Sequence, residues 1–164
     1  MKSSLQFGGT FVATHRNANG EIVSVEEKHN LCPTEGLTYF NNVLFGGAAS
    51  SSLYVGLYGN NYTPVATDVM STFIASASEI TAYSEVSRPT YVSVVNGVNV
   101  SNTASKVVFT FSSAATVRGC MLSTSSVKNG VTGSLVSASL FTSAKPMDIG
   151  DTLTVEYLFS STSS

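Results

Sequence analysis

Tyr91-Val92-Ser93-Val94-Val95-Asn96-Gly97-Val98-Asn99-Val100 decides the fold class. β-Branched residues run up to an Asn-Gly pair and resume beyond it. Asn-Gly between such runs is the strongest short-range cue for a β-hairpin, because both residues tolerate the positive φ that a tight turn needs. The same period-2 alternation recurs on either side. Leu53, Val55 and Leu57 alternate with Tyr54, Gly56 and Tyr58, while Val107, Phe109 and Phe111 alternate with Val108, Thr110 and Ser112. In a strand, alternate residues share a face, so each run has one face suited to a core. Further strands are predicted at residues 117–122, 134–141 and 152–159; in the last, Leu153, Val155, Tyr157 and Phe159 share a side and Asp148-Ile149-Gly150-Asp151 supplies the turn before it.

At the chain start, residues 10–16 and 21–28 form another hairpin around Asn17-Ala18-Asn19-Gly20. His15, Arg16, Glu21, Glu26, Glu27, Lys28 and His29 crowd this unit, which reads as a solvated edge hairpin protected by charge. Between the hairpins the period changes. Leu37, Phe40, Val43 and Leu44 recur at three- and four-residue spacing, so residues 34–45 are predicted to form one short helix, opened by Pro33 and Thr34 and stopped by Gly46-Gly47. That helix is expected to be the single well-formed one, laid across an opening of the β body. Residues 60–85 carry weak periodicity and read as a long loop with a helical turn or a strand, the kind of segment that makes contacts. The sum is an all-β chain, an antiparallel β-sandwich or jelly roll of about eight strands in one domain. Residues 1–6 are left open between an anchoring arm and a loose, flexible one, and residues 160–164 are expected as a frayed tail.

Composition bounds the function. The 164 residues are 43% hydrophobic but only 11% charged, with no Trp, two His and 45 Ser or Thr, so hydroxyls rather than charges carry solubility. Net charge is −2 and the eight Lys and Arg are scattered singly, which argues against nucleic-acid binding, since that needs clustered cations. No segment approaches a membrane span, and the first eight residues hold no apolar stretch of secretory length, so production in a cytoplasm is expected. Cys32 and Cys120 then read as small buried hydrophobes, with a disulfide left open. Asn61-Tyr62-Thr63 and Asn99-Val100-Ser101 match the glycosylation pattern but read as loop chemistry.

Catalytic constellations are thin. A serine hydrolase needs a histidine base with an orienting acid; only His15 and His29 are available, both near the edge hairpin, and there is no Gly-x-Ser-x-Gly elbow. His29 and Cys32, with His15 across the hairpin, could offer corners of a metal site, but the paired spacing of structural zinc ligands is absent. Glu26 and Glu27 are neighbours that a strand sends to opposite faces, which rules out a glycosidase pair. No catalytic, cofactor-binding or metal residue is therefore assigned. Tyr58 and Tyr62 are candidate partner contacts, because exposed tyrosines stack on sugars or proteins. In Tyr83-Ser84-Glu85-Val86-Ser87-Arg88-Pro89 an acid precedes an arginine by three, which suggests a local Glu85–Arg88 ion pair or, for Arg88, a bridge to a neighbouring subunit.

The order of Asn30-Leu31, Thr34-Glu35-Gly36-Leu37, Leu53-Tyr54-Val55-Gly56-Leu57-Tyr58, Asn61-Tyr62-Thr63-Pro64, Tyr83-Ser84-Glu85 with Arg88-Pro89, Asn102-Thr103-Ala104-Ser105, Phe109-Thr110-Phe111 and Gly150-Asp151-Thr152-Leu153 resembles small virion proteins of tailed bacteriophages, nearest to capsid decoration or cement proteins. These are packing and turn motifs rather than signatures of chemistry. The resemblance implies a virion location on the capsid surface, no catalysis, no cofactor, self-association into a homo-oligomer and docking on the major capsid protein. A tail-fibre, head-fibre or baseplate module that recognises a host-surface glycan through Tyr58, Tyr62 and residues 60–85 is the rival expectation, and a small hydrolase a third.

Overall fold

The computed structural model describes residues 5–163, with side-chain surroundings for residues 7–161. The chain is an all-β sandwich of two antiparallel sheets. Strands β1 (Leu5–Arg16), β2 (Ile22–His29), β6 (Val94–Asn96), β7 (Asn99–Ser101), β8 (Val107–Thr110) and β11 (Thr152–Ser163) form one sheet; β3 (Leu53–Tyr58), β4 (Glu79–Ile80), β5 (Thr90–Tyr91), β9 (Ala115–Ser123) and β10 (Leu135–Met147) form the other. The strand order is β2-β1-β11-β7-β6 in the first, with β8 also on β11, and β10-β9-β3-β4 in the second, with β5 also on β3.

Alternation places the core as read. Phe11 and Ala13 of β1, Leu153, Val155 and Tyr157 of β11 and Phe109 of β8 meet Val55 and Leu57 of β3, Cys120 and Leu122 of β9 and Val136 of β10. The hairpin at Gly97 forms as well, one residue later than predicted: Asn96 pairs with Asn99, so Gly97, at φ +62°, and Val98 are the turn residues. Asn99-Val100-Ser101 is therefore strand rather than loop.

Among the described residues the strands number eleven rather than about eight, and the run predicted from Tyr91 to Val95 is split between β5 of the second sheet and β6 of the first; three further expectations need correction. The chain has a second helix: after α1 (Thr34–Leu44), α2 (Met70–Ala77) lies within the segment read as loop. Its Met70, Phe73, Ile74 and Ala77 pack with Tyr58, Met121, Leu135 and Ala138 in a second cluster. Because α2 covers the face of the second sheet turned away from the first, Cys120 and Leu122 face one cluster while Met121 faces the other, and β9 is buried almost throughout. Next, Ser160–Ser163 do not fray: β11 continues through them and pairs with Gly8–Leu5 of β1. Leu5 and Gln6 are thus part of a strand; the rest of the expected arm, residues 1–4, and Ser164 of the expected tail lie outside the described residues.

The third correction concerns α1. It spans the predicted residues and Gly47 stops it at φ +70°, yet Leu37 and Leu44 are exposed, as is Phe45 at 81%. Its inward line runs through buried Gly36 and half-buried Tyr39, Phe40 and Val43. Gly36 sets that phase, since a Cβ there would stand 2.3 Å from the Val136 carbonyl oxygen; only a hydrogen lets the helix seat on β10. Phe40 then stacks on Phe7 at a centroid distance of 5.6 Å and meets Phe159 in a tilted pair at 5.4 Å. Among the described residues no helix is long and apolar enough to cross a membrane.

Gly36→Ala is expected to lower stability by about 1–3 kcal/mol, because the added methyl meets backbone that cannot turn aside. A shift of the urea midpoint at unchanged m-value is the measurement.

Candidate functional site

Arg88 is the largest fully buried side chain, at 0% exposure. Its partner is Glu79 of β4, not Glu85. Nε donates to Glu79 Oε1 and Nη2 to Oε2, both at 2.7 Å, a bidentate pair with both side chains at zero exposure. Nη1 also donates to the Ser125 carbonyl at 3.0 Å and Nη2 to that of Gly130 at 3.1 Å. The Asn129 N–H donates to Glu79 Oε2, which holds Asn129 at φ 56°. Glu85 instead accepts the Thr110 N–H. Residues 84–87 form bends rather than a helical turn, so Glu85 lacks the helical spacing that would bring it against Arg88. Buried this way, Arg88 offers nothing to a neighbouring subunit.

Tyr58 is also fully buried and is corrected from contact to core. It pairs with Gly119, where a Cβ would stand 2.2 Å from Tyr58 Cζ, so the ring lies flat on the glycine and meets Phe73 edge-on at 5.3 Å. Tyr62 is half-buried, and its hydroxyl donates to Asp68 Oδ1 at 2.6 Å, a bond to a carboxylate that pushes the phenol pKa up. Of the three predicted contact residues, only Tyr62 retains surface.

The histidines separate. His29 is exposed and bonds Thr10 Oγ1 through Nδ1 at 3.0 Å, with no carboxylate among the described residues on its other nitrogen. His15 is buried rather than at an exposed edge, because its strand lies inside the sheet, and Nε2 bonds Asp151 Oδ2 at 2.9 Å. Register puts them five positions apart along β1, roughly 17 Å at the strand rise, too far to share a metal ion. Cys32 and Cys120 are free thiols. Cys32 Sγ donates to the Val136 carbonyl, and burial pushes its pKa up to about 11, which disfavours the thiolate that ligation or attack requires. Among the described residues no group of three His, Cys, Asp or Glu converges as a metal site.

Glu26 and Glu27 take opposite faces, as the strand period requires. Glu26 turns inward to Lys145 at 3.0 Å and receives the Thr142 N–H; burial alone would raise its pKa, but these donors outweigh it and hold the carboxyl below its usual range. Ser24 Oγ lies 3.5 Å from the same Lys145 ammonium. Glu26, at 3.0 Å, is the closer partner of that lysine.

Two surface features bear on binding. A groove of about 690 Å³ runs beside α1, walled by Glu35, Thr38, Tyr39 and Asn42, by Ser51, and by residues 67–69 with Thr124 and Ser134. The first sheet also leaves β-branched residues outside at both flanks: Ile22, Val23 and Val25 on β2, and Val94, Val95 and Val98 on the β6–β7 hairpin, with Val95 70% exposed.

Arg88→Met should cost about 3–5 kcal/mol by urea unfolding, because it strands the Glu79 carboxylate, and adding Glu79→Gln should recover part of that loss. A second outcome concerns pH. The Asp148 N–H first, then His15, hold the Asp151 carboxyl below its ordinary value of 3.8. A depressed native pKa stabilises fully above 3.8 and is lost as the pH falls through the native value. Thermal melts should therefore show the gap between native protein and Asp151→Asn closing below about pH 4. Comparison with protein-family models, with curated proteins and with solved structures gives no match for this chain.

Proposed function

We propose that this chain is a non-enzymatic virion structural protein of a tailed bacteriophage, a capsid decoration or cement protein that binds the outer surface of the major capsid lattice and associates with copies of itself. The observation that carries the proposal is the β-branched surface on both flanks of the first sheet. The chain fills two hydrophobic clusters with its own residues and still keeps Ile22, Val23, Val25, Val94, Val95 and Val98 in water. Sheet margins of that character are an aggregation liability in a free monomer, and they become useful when a repeated neighbour covers them.

The rest of the chain suits such a role. The Arg88–Glu79 pair and the two-sided burial of β9 make a stiff body. A stiff body set across a seam adds buried area that must be undone before two shell subunits separate. Many copies on one particle make weak single contacts effective. The rival role, glycan recognition through Tyr58, Tyr62 and residues 60–85, loses its two tyrosines, because Tyr58 is core and Tyr62 is tied to Asp68.

Purified chain mixed with cognate heads lacking it should co-sediment and saturate, and the heads should then withstand more heat or chelator. Val95→Asp with Val23→Asp should weaken binding at least about tenfold if these margins are the contact. Absence of binding, or a position on the tail in electron cryo-microscopy of intact particles, would overturn the proposal.

A further inference from the structure

We propose that the groove beside α1 is a binding site for a neutral saccharide. Its volume of about 690 Å³ lies within the range of small-ligand sites. Its chemistry narrows the class. Glu35 and Asp68 both line it and no Lys or Arg does, so phosphates, nucleotides and acidic sugars are disfavoured. A resident cation is not indicated either, as no third ligating side chain joins the two carboxylates among the described residues.

What the groove offers is a mixed set of acceptors and donors. Glu35 Oε2 accepts the N–H groups of Met70 and Leu135 at 2.8 and 2.7 Å, while Oε1 has no hydrogen-bond partner among the described residues. Asp68, 5% exposed, accepts one bond on each oxygen, from the Tyr62 hydroxyl and the Val65 N–H, and a carboxylate has about four acceptor sites. The Asn42 amide, with two donors and an acceptor, makes no side-chain bond, and the hydroxyls of Thr38 and Ser134 stand nearby. Sugar hydroxyls each donate and accept, so a ring diol can donate hydrogen bonds to Glu35 Oε1 and accept them from the Asn42 amide N–H.

The apolar side of a sugar has a counterpart too. The Tyr39 hydroxyl donates to the Ser51 carbonyl and accepts the Ser51 N–H, which pins the ring against the groove, and Val43, Ala48 and Val69 add small aliphatic contacts for C–H faces. Both carboxylates and the tyrosine are already held by backbone bonds, so binding sacrifices little side-chain freedom. The inference stands apart from the capsid proposal and would hold wherever the chain sits on a particle.

The test is a glycan array carrying neutral, sialylated and sulfated sugars, followed by saturation-transfer NMR of the best neutral hit with the full chain. Saturable binding to neutral glycans is expected, reduced at least tenfold by Asn42→Ala and by Thr38→Trp, which fills the groove. Both positions are exposed on α1, so circular dichroism should show the fold retained. Ile149→Ser, on the turn before β11 and outside the groove lining, should bind as the native chain does. The inference is overturned if no neutral glycan binds, if sialylated or sulfated sugars bind better, or if both groove variants bind normally.

Discussion

The buried pair between Arg88 and Glu79 is the constraint on which this architecture turns. A guanidinium at zero exposure cannot stay charged without a carboxylate and a full set of acceptors, and cannot be discharged. Glu79 supplies the first, and the carbonyls of Ser125 and Gly130 supply much of the second. Meeting that demand brings together β4, the entry to β5, the end of β9 and the connection from β9 to β10. Such pairs contribute little net stability, since desolvation offsets attraction. Removing one partner, by contrast, leaves a buried charge uncompensated.

Close backbone approach does comparable work elsewhere. Gly119 lets Tyr58 lie flat on β9 beneath α2, and Gly36 lets α1 seat on β10. Glu35, one residue from that contact, then reaches the N–H groups of Met70 and Leu135 and so joins α1, α2 and β10 through one carboxylate oxygen. The groove beside α1 is a consequence of these constraints: its walls come from different parts of the chain, and the carboxylate that links them also faces the cavity.

The charge economy has a related logic. Arg88, Lys145 and Lys106 are spent on Glu79, Glu26 and Glu156. That leaves a surface rich in hydroxyls, with valines at the sheet margins. A surface of this kind can match a fixed, repeated neighbour by shape and suits polyhydroxyl ligands, while giving little long-range steering.

Local periodicity was legible without coordinates. Alternation at Leu53–Tyr58, around Phe109 and from Thr152 onward specified strands, Gly97 specified a hairpin and the three-four spacing after Pro33 specified α1, because each depends only on residues a few positions apart. Met70, Phe73, Ile74 and Ala77 carried the same helical signal for α2, obscured by the turn-rich sequence before them. What only the tertiary structure decided was which segments meet. Glu79 rather than Glu85 neutralises Arg88, a glycine rather than the leucines sets the face of α1, Tyr58 lies under a helix, and the serine-rich end of β11 is ordered by β1. Those outcomes depend on desolvation and steric contact between residues distant in the chain, and a one-dimensional pattern carries no record of that distance.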